Sequence, residues 1–144
     1  MQLATVEYRL PEPPPPASNA DWIARRNAVG LREMVVIAEQ WQLTQEQLSR
    51  LLGTASRTLL RWRKQADDSG QLDLSGDTVE RMSYLLGISK ALQILLPTPA
   101  NRLLWLRNPN SGPPFNGQVP LDRLLNGQVA DLFVVRQVLD AARG

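Results

Sequence analysis

The chain has 144 residues, neither cysteine nor histidine, 16 basic against 14 acidic side chains, and 43% hydrophobic residues. That is enough apolar material for one domain, or two small ones sharing a core, and it excludes disulfides, thiolate metal sites and histidine-based catalysis. A net charge of +2 with a pI near 9.5 reflects how little titrates between carboxylates and lysines, so local clustering of arginine is more informative than the total.

The chain opens with residues 1–18, a Pro-rich stretch expected to be a flexible N-terminus. Its centre, Pro11-Glu12-Pro13-Pro14-Pro15-Pro16, suits a stiff polyproline-type segment without internal hydrogen bonds. Two readings stay open, a ligand for proline-recognition modules or a simple spacer. No basic-then-apolar leader pattern and no long uncharged apolar run is present, which predicts a soluble, cytoplasmic protein without a membrane span.

Asn19–Asn27 is expected to be helical, with Asn19 as cap and Trp22 and Ile23 as apolar residues. From Leu31 to Trp41 the pattern sharpens. Leu31, Met34, Ala38 and Trp41 follow an i, i+3, i+7, i+10 series, widened by Ile37. This helix should pack beneath the segment that follows, with Trp41 and Trp62 in the core.

That next segment, Leu43–Lys64, reads as two short helices separated by a tight corner. Thr44 and Gln47 form a capping box. Leu48, Leu51 and Leu52 give the first helix one apolar face, and Gly53 ends it. The second helix turns Leu59 and Trp62 inward and Arg57, Arg61 and Lys64 outward. Five basic residues and no acidic one lie between Arg50 and Lys64. Such a pair suits a helix-turn-helix, whose second helix presents its N-terminal residues to base edges in the major groove. Arginine matches guanine O6 and N7 bidentately, at about 1–3 kcal/mol of discrimination per pair. The bland alternative is a solvated basic face on an ordinary helical hairpin. The DNA-contact candidates are Gln45, placed beside a backbone phosphate, with Thr54, Ser56, Arg57, Leu60, Arg61 and Lys64. The helix-turn-helix domain is set at residues 19–66.

Residues 67–76 are polar and turn-rich and are expected to be a linker, with Asp67-Asp68-Ser69-Gly70 as the boundary. The acidic pair lacks a third carboxylate at calcium-loop spacing, so it reads as a solvated turn and no metal site is expected. The second half, 77–144, is again helical, which makes the fold class all-α. Asp77–Leu96 carries Met82, Leu85, Leu86, Leu92, Leu95 and Leu96, a stripe wide enough for contact on two sides. Gly87 inside it costs about 1 kcal/mol relative to alanine, and it either permits a close crossing or is merely tolerated. Pro97 stops this helix. Thr98-Pro99 then restarts another as N-cap and N1, running through Leu106 with Leu103, Leu104 and Trp105 displayed.

Asn108–Gly117 is a loop of ten residues with three prolines, long enough in so compact a chain to suggest a purpose. A short helix opens at Pro120 and Asn126-Gly127 closes it. The last helix, Gln128 to about Arg143, is apolar at Val129, Leu132, Phe133, Val134, Val135, Val138 and Leu139. That much apolar girth predicts either a partner surface or dimer interface, or a central buried helix. No nucleophile–base spacing and no Gly-rich phosphate loop occurs, so neither an enzyme nor a cofactor is expected.

Trp105-Leu106, Pro109-Asn110, Asn116-Gly117, Pro120-Leu121-Asp122 and Leu124-Leu125 together resemble the toxin-binding domain of Xre/MbcA/ParS-type antitoxins. The helix-turn-helix with Arg57-Thr58-Leu59 and Arg61-Trp62 is similar to the Xre-like domain that precedes it there. The resemblance covers roughly Leu31 to Gly144. One departure is Ala55, where the family usually has Ser opening the recognition helix, which leaves Thr54 or Ser56 to supply the cap. The resemblance implies an antitoxin that binds operator DNA of its own operon as a homodimer, within a hetero-oligomer with a RES-type toxin. Such toxins act on NAD or use it for ADP-ribosylation. It implies further that the C-terminal domain contacts the toxin, with Phe133, Arg136, Leu139, Asp140, Arg143 and Gly144 as the candidates. The short tail after the last helix suggests that the Arg143 guanidinium and the terminal carboxylate enter a site shaped for NAD phosphates or carboxamide; the alternative is a frayed terminus. The alternative is a stand-alone helix-turn-helix regulator whose C-terminal half only dimerises or senses a ligand.

Overall fold

The computed structural model describes residues 16–144 and is helical throughout, with no strand among the described residues. The helices are α1 (Pro16–Gln40), α2 (Gln45–Leu51), α3 (Ser56–Ser69), α4 (Gly76–Leu95), α5 (Pro99–Arg107), α6 (Pro120–Leu124) and α7 (Val129–Arg143). The polyproline reading lies outside the described residues, save for Pro16, which opens α1.

The two helical segments expected between Asn19 and Trp41 are one helix. Asn19 lies inside it and caps nothing. The apolar stripe continues through Ala24, Ala28, Leu31, Met34 and Ala38, all buried. Gly30 does not interrupt it, because its bare Cα is where α4 comes closest: a Cβ there would stand 2.8 Å from Met82 Cε. Trp41, 3% exposed, follows the last turn as a core residue.

The helix pair after it forms as its local signals dictate. Thr44 Oγ1 accepts from Gln47 N at 3.1 Å, and Gln47 Oε1 accepts from Thr44 N at 2.9 Å, which completes the capping box. Gly53 turns with φ +71°, and a Cβ on it would meet Arg81 Nε at 2.8 Å. Leu48, Leu51, Leu52 and Leu59 are buried between α2, α3 and α1. Trp62 is half-buried and packs against that core.

Asp67–Ser69 is helical rather than loop, so α3 runs through most of the expected boundary. Two long-range contacts hold the extra turn. Ala66 is buried, its carbonyl accepts from Arg32 Nη2, and Arg32 lies 3.8 Å from Asp67. Gly70 then ends the helix in the left-handed region. The connection to α4 is short and docked: Leu72 N donates to Ala24 O at 2.9 Å, and buried Asn27 donates to Leu72 O at 3.0 Å.

Helix α4 is capped by Ser75 and buries Met82, Leu85, Ile88, Ala91 and Leu92. It packs on α1 and most extensively on α7. Much of the apolar girth of α7 is thereby used, since Leu132, Val135 and Leu139 are all buried. The loop after α5 is held in place by its own residues. Phe115, 4% exposed, meets Trp105 edge-on at 5.6 Å. Arg123 pairs with Asp131 at 2.6 Å and donates to Pro114 O at 3.1 Å. At the other end of α5, Arg107 Nη2 donates to Trp41 O at 2.7 Å and Gln42 O at 2.8 Å. Those carbonyls follow α1, where a cation is favoured. One continuous core therefore runs from Ala28 to Leu139. No helix of the described residues is long and apolar enough to cross a membrane.

Candidate functional site

The outer side of α3 is cationic because the inner side is used for packing. Leu59 is fully buried, while Arg57, Leu60, Arg61 and Lys64 are exposed one turn apart. Leu60, 55% exposed, stands among the arginines as the one apolar side chain on that face. Apolar groups in such a place suit the thymine methyl as arginines suit guanine. Thr54 and Ser56 flank the helix start, both half-buried.

Neither of those two caps α3. The N-cap is Ala55, which makes no side-chain hydrogen bond, and Ser56 is the first helical residue. The helix takes its extended entry residue from the geometry of the Gly53 corner, so the cap position falls on alanine whatever the neighbouring hydroxyls offer. Gln45 also differs from expectation. Its Oε1 accepts from Arg63 Nη1 at 2.7 Å, and its Nε2 is covered and without a partner. The side chain clamps α2 to α3. Arg63 supplies that clamp because it is offset from the 57, 61, 64 series, an offset visible in the sequence. Arg50, exposed in the last turn of α2, adds to the cationic surface. Its signal was only its place in the acid-free run.

A second polar and aromatic surface lies where α7 crosses α4. Phe133 is 47% exposed and meets Tyr84 edge-on at 5.8 Å. Arg136 lays its guanidinium across Gly87, where a Cβ would come within 2.5 Å of Cζ. Its Nη1 donates to Ser83 O at 3.2 Å. Asp140 then sits between two arginines, 3.5 Å from Arg136 and 3.7 Å from Arg143. Gly87 therefore permits a close crossing, by a side chain rather than a backbone. Tyr84 Oη donates to Glu80 Oε1 at 3.0 Å. The Glu80 carboxylate that holds this proton raises the phenol pKa, and lost hydration raises it further. Tyr84 and Glu80 belong to this surface although the sequence marked neither. Their i, i+4 spacing was the available signal.

Leu139 is 4% exposed, packed in the core between α4 and α7 at the floor of an apolar groove. Arg143 occupies the last turn of α7 and Gly144 follows it, exposed. Near that end, Leu95, Leu96, Trp105, Phe115 and Val138 line an apolar groove of about 300 Å³.

These two surfaces coincide with two family models. Residues 24–87 match the antitoxin Xre-like helix-turn-helix domain, and residues 91–144 match the antitoxin Xre/MbcA/ParS C-terminal toxin-binding domain. A protein of Sinorhizobium fredii (strain NBRC 101917 / NGR234), named "Uncharacterized protein y4oB", is 41% identical over 109 residues, which is 75% of this chain and 79% of that protein. The chain belongs to the Xre/MbcA/ParS antitoxin family. In this antitoxin the cationic face falls within the helix-turn-helix match, and the α7 side of the second surface, Phe133, Arg136 and Asp140, within the toxin-binding match, while its α4 side, Glu80, Tyr84 and Gly87, belongs to the first. The two matches meet between Gly87 and Ala91, inside α4 and well past residues 67–76.

Proposed function

We propose that this antitoxin is a non-catalytic repressor and inhibitor. It binds the operator of its own operon as a dimer and blocks the active site of a RES-type, NAD-consuming toxin in the cytoplasm. The observation that carries the reading is the separation of two chemically different exposed faces, one on α3 of the first matched module and one centred on α7 of the second. The Arg57–Lys64 face is acid-free and contains Arg57, Leu60, Arg61 and Lys64, suited to base edges and phosphates. Thr54 and Ser56 lie at its edge, within reach of the sugar–phosphate backbone. The face built from Phe133, Arg136, Asp140 and Arg143, with Gly144 beyond it, combines a half-exposed aromatic with paired charges, as protein interfaces do. RES specificity rests on the resemblance of this ordered pair of modules to antitoxins partnered with such toxins.

The test separates the two activities. Co-expression with the neighbouring gene product should give a stable complex and preserve cellular NAD. Removing Arg143 and Gly144 should release toxin activity and leave operator binding intact. Unchanged neutralisation by the shortened chain would refute the role of that end of α7. A neighbouring product that leaves NAD untouched when expressed alone would refute the RES assignment. In a two-fold dimer the operator half-sites should lie one helical turn apart, ~34 Å, or a multiple of it.

A further inference from the structure

The side of α1 turned away from the core carries a pattern that neither module explains. Trp22, Val29 and Val36 are each 51% exposed. They recur every seven residues, a spacing that drifts only ~20° per step around a helix and so keeps them in one line. Arg26 and Glu33, both exposed, stand on the same line in the two intervals. Single exposed hydrophobics are ordinary, but three in a row over about 21 Å of helix, rimmed by charges, mark an interaction surface.

The pattern is its own complement when reversed. Run antiparallel to a second α1 about a two-fold axis at Val29, Val29 faces its own copy. Trp22 then comes opposite Val36, and Arg26 opposite Glu33, twice over. The other flank brings Arg25 near the second copy's Arg32, which Ala66 O and Asp67 already engage. A parallel pair would instead set Arg26 near the second copy's Arg25 and form no Arg26–Glu33 pair. Beside Val36 there is also room for an indole. Helices α1 and α4 enclose a groove of about 530 Å³ lined by Val36, Ile37 and Leu86, with Glu33 and Lys90 on its rim. Trp22 does not travel alone, since the Arg26 guanidinium lies over its ring, 5.2 Å from the centroid. An indole entering the second copy's groove therefore carries a cation to the Glu33 at that rim.

We propose that this surface is the self-association face of the antitoxin. The two α1 helices pair antiparallel, each Trp22 fills the α1–α4 groove of the other copy, and reciprocal Arg26–Glu33 pairs fix the register. This is an isologous contact, self-complementary as two-fold symmetry requires. It rests on the dimeric reading of operator binding and adds where the contact lies.

The full chain is measured by sedimentation equilibrium and the fold of each variant by circular dichroism. Trp22→Ala removes two anchors per dimer. At about 30-fold for each hot-spot aromatic, dimer dissociation should rise by roughly 1,000-fold. Arg26→Glu should give monomers, and the double variant Arg26→Glu/Glu33→Arg should restore the dimer. Because the chain has no cysteine, Val29→Cys should form an inter-chain disulfide on mild oxidation, while Leu104→Cys on the exposed side of α5 should not. A dimer indifferent to Trp22→Ala, a reversal pair that fails to restore association, or Val29→Cys that stays unlinked would each overturn the proposal. Those results leave a dimer formed elsewhere. A wild-type chain that is monomeric both free and on operator DNA would overturn the proposal and the dimeric reading together.

Discussion

Replacing Gly87 by alanine sets two effects against each other, and the structure gives the size of both. Alanine inside a helix gains about 1 kcal/mol over glycine. Here, however, the new Cβ would stand 2.5 Å from Arg136 Cζ and 2.6 Å from Nε, so the guanidinium must leave its seat. It gives up the 3.2 Å bond to Ser83 O, worth about 0.5–1.5 kcal/mol. Its 3.5 Å pair with Asp140 is surface-exposed and adds a few tenths at most. The net change for Gly87→Ala should then be close to zero. Made in an Arg136→Ala background, the same substitution meets no guanidinium and should stabilise by the full ~1 kcal/mol. The four proteins of this cycle, unfolded in urea and followed by circular dichroism, should show a coupling of about 1 kcal/mol between positions 87 and 136. Equal stabilisation in both backgrounds would refute the reasoning, because it would mean that no side chain occupies the space above Gly87.

Three further outcomes are expected. Arg57→Ala and Arg61→Ala should each cost about 1–3 kcal/mol of operator affinity and relax sequence choice, while Lys64→Ala should mainly flatten the salt dependence, both read by fluorescence anisotropy across ionic strength. Arg107→Met keeps the side-chain stem but removes the two bonds to the carbonyls of Trp41 and Gln42, and should lower unfolding free energy by roughly 1–2 kcal/mol in denaturant titrations. In a Tyr8→Phe background, ultraviolet titration of Tyr84 should place its pKa above the ordinary tyrosine value, and Glu80→Gln should bring it down. A raised folded-state pKa means that the Tyr84–Glu80 contribution is complete below the ordinary tyrosine pKa and is lost as pH rises through the folded value.

What could be read from the sequence was what neighbouring residues decide among themselves. The Thr44–Gln47 box, the Gly53 corner, the Pro99 and Pro120 helix starts and the outward series Arg57, Arg61, Lys64 are local, and each is where the pattern puts it. Several misreadings need a residue far along the chain. Asn27–Leu31 continues as helix because Met82 occupies the space left by Gly30. Asp67–Ser69 is helix because Arg32 engages the end of α3. Gln45 is engaged by Arg63, eighteen residues on. Phe133 and Leu139 could not be told apart by hydropathy. On a helix apolar over most of its girth, the neighbour decides which side is covered, and here α4 covers Leu139 and leaves Phe133 half in water.

The same reasoning explains why no composition shift marks the join between the two modules. The join falls inside α4, a helix with apolar residues on several sides because it is core to both halves. Met82 and Leu85 face the helix-turn-helix end of the chain's single core, and Leu92 reaches the end near Trp105 and Val138. Polar contacts repeat the arrangement. Near its start, Thr78 donates to Leu52 O at 3.3 Å and Arg81 covers the Gly53 corner. One to two turns further on, Ser83 and Gly87 hold Arg136. Arg107 closes a second route, from α5 back to the end of α1. One helix thus seats the Gly53 corner at one end and the Arg136 guanidinium a few turns later. The two exposed faces are chemically separate but share α4 and one continuous core.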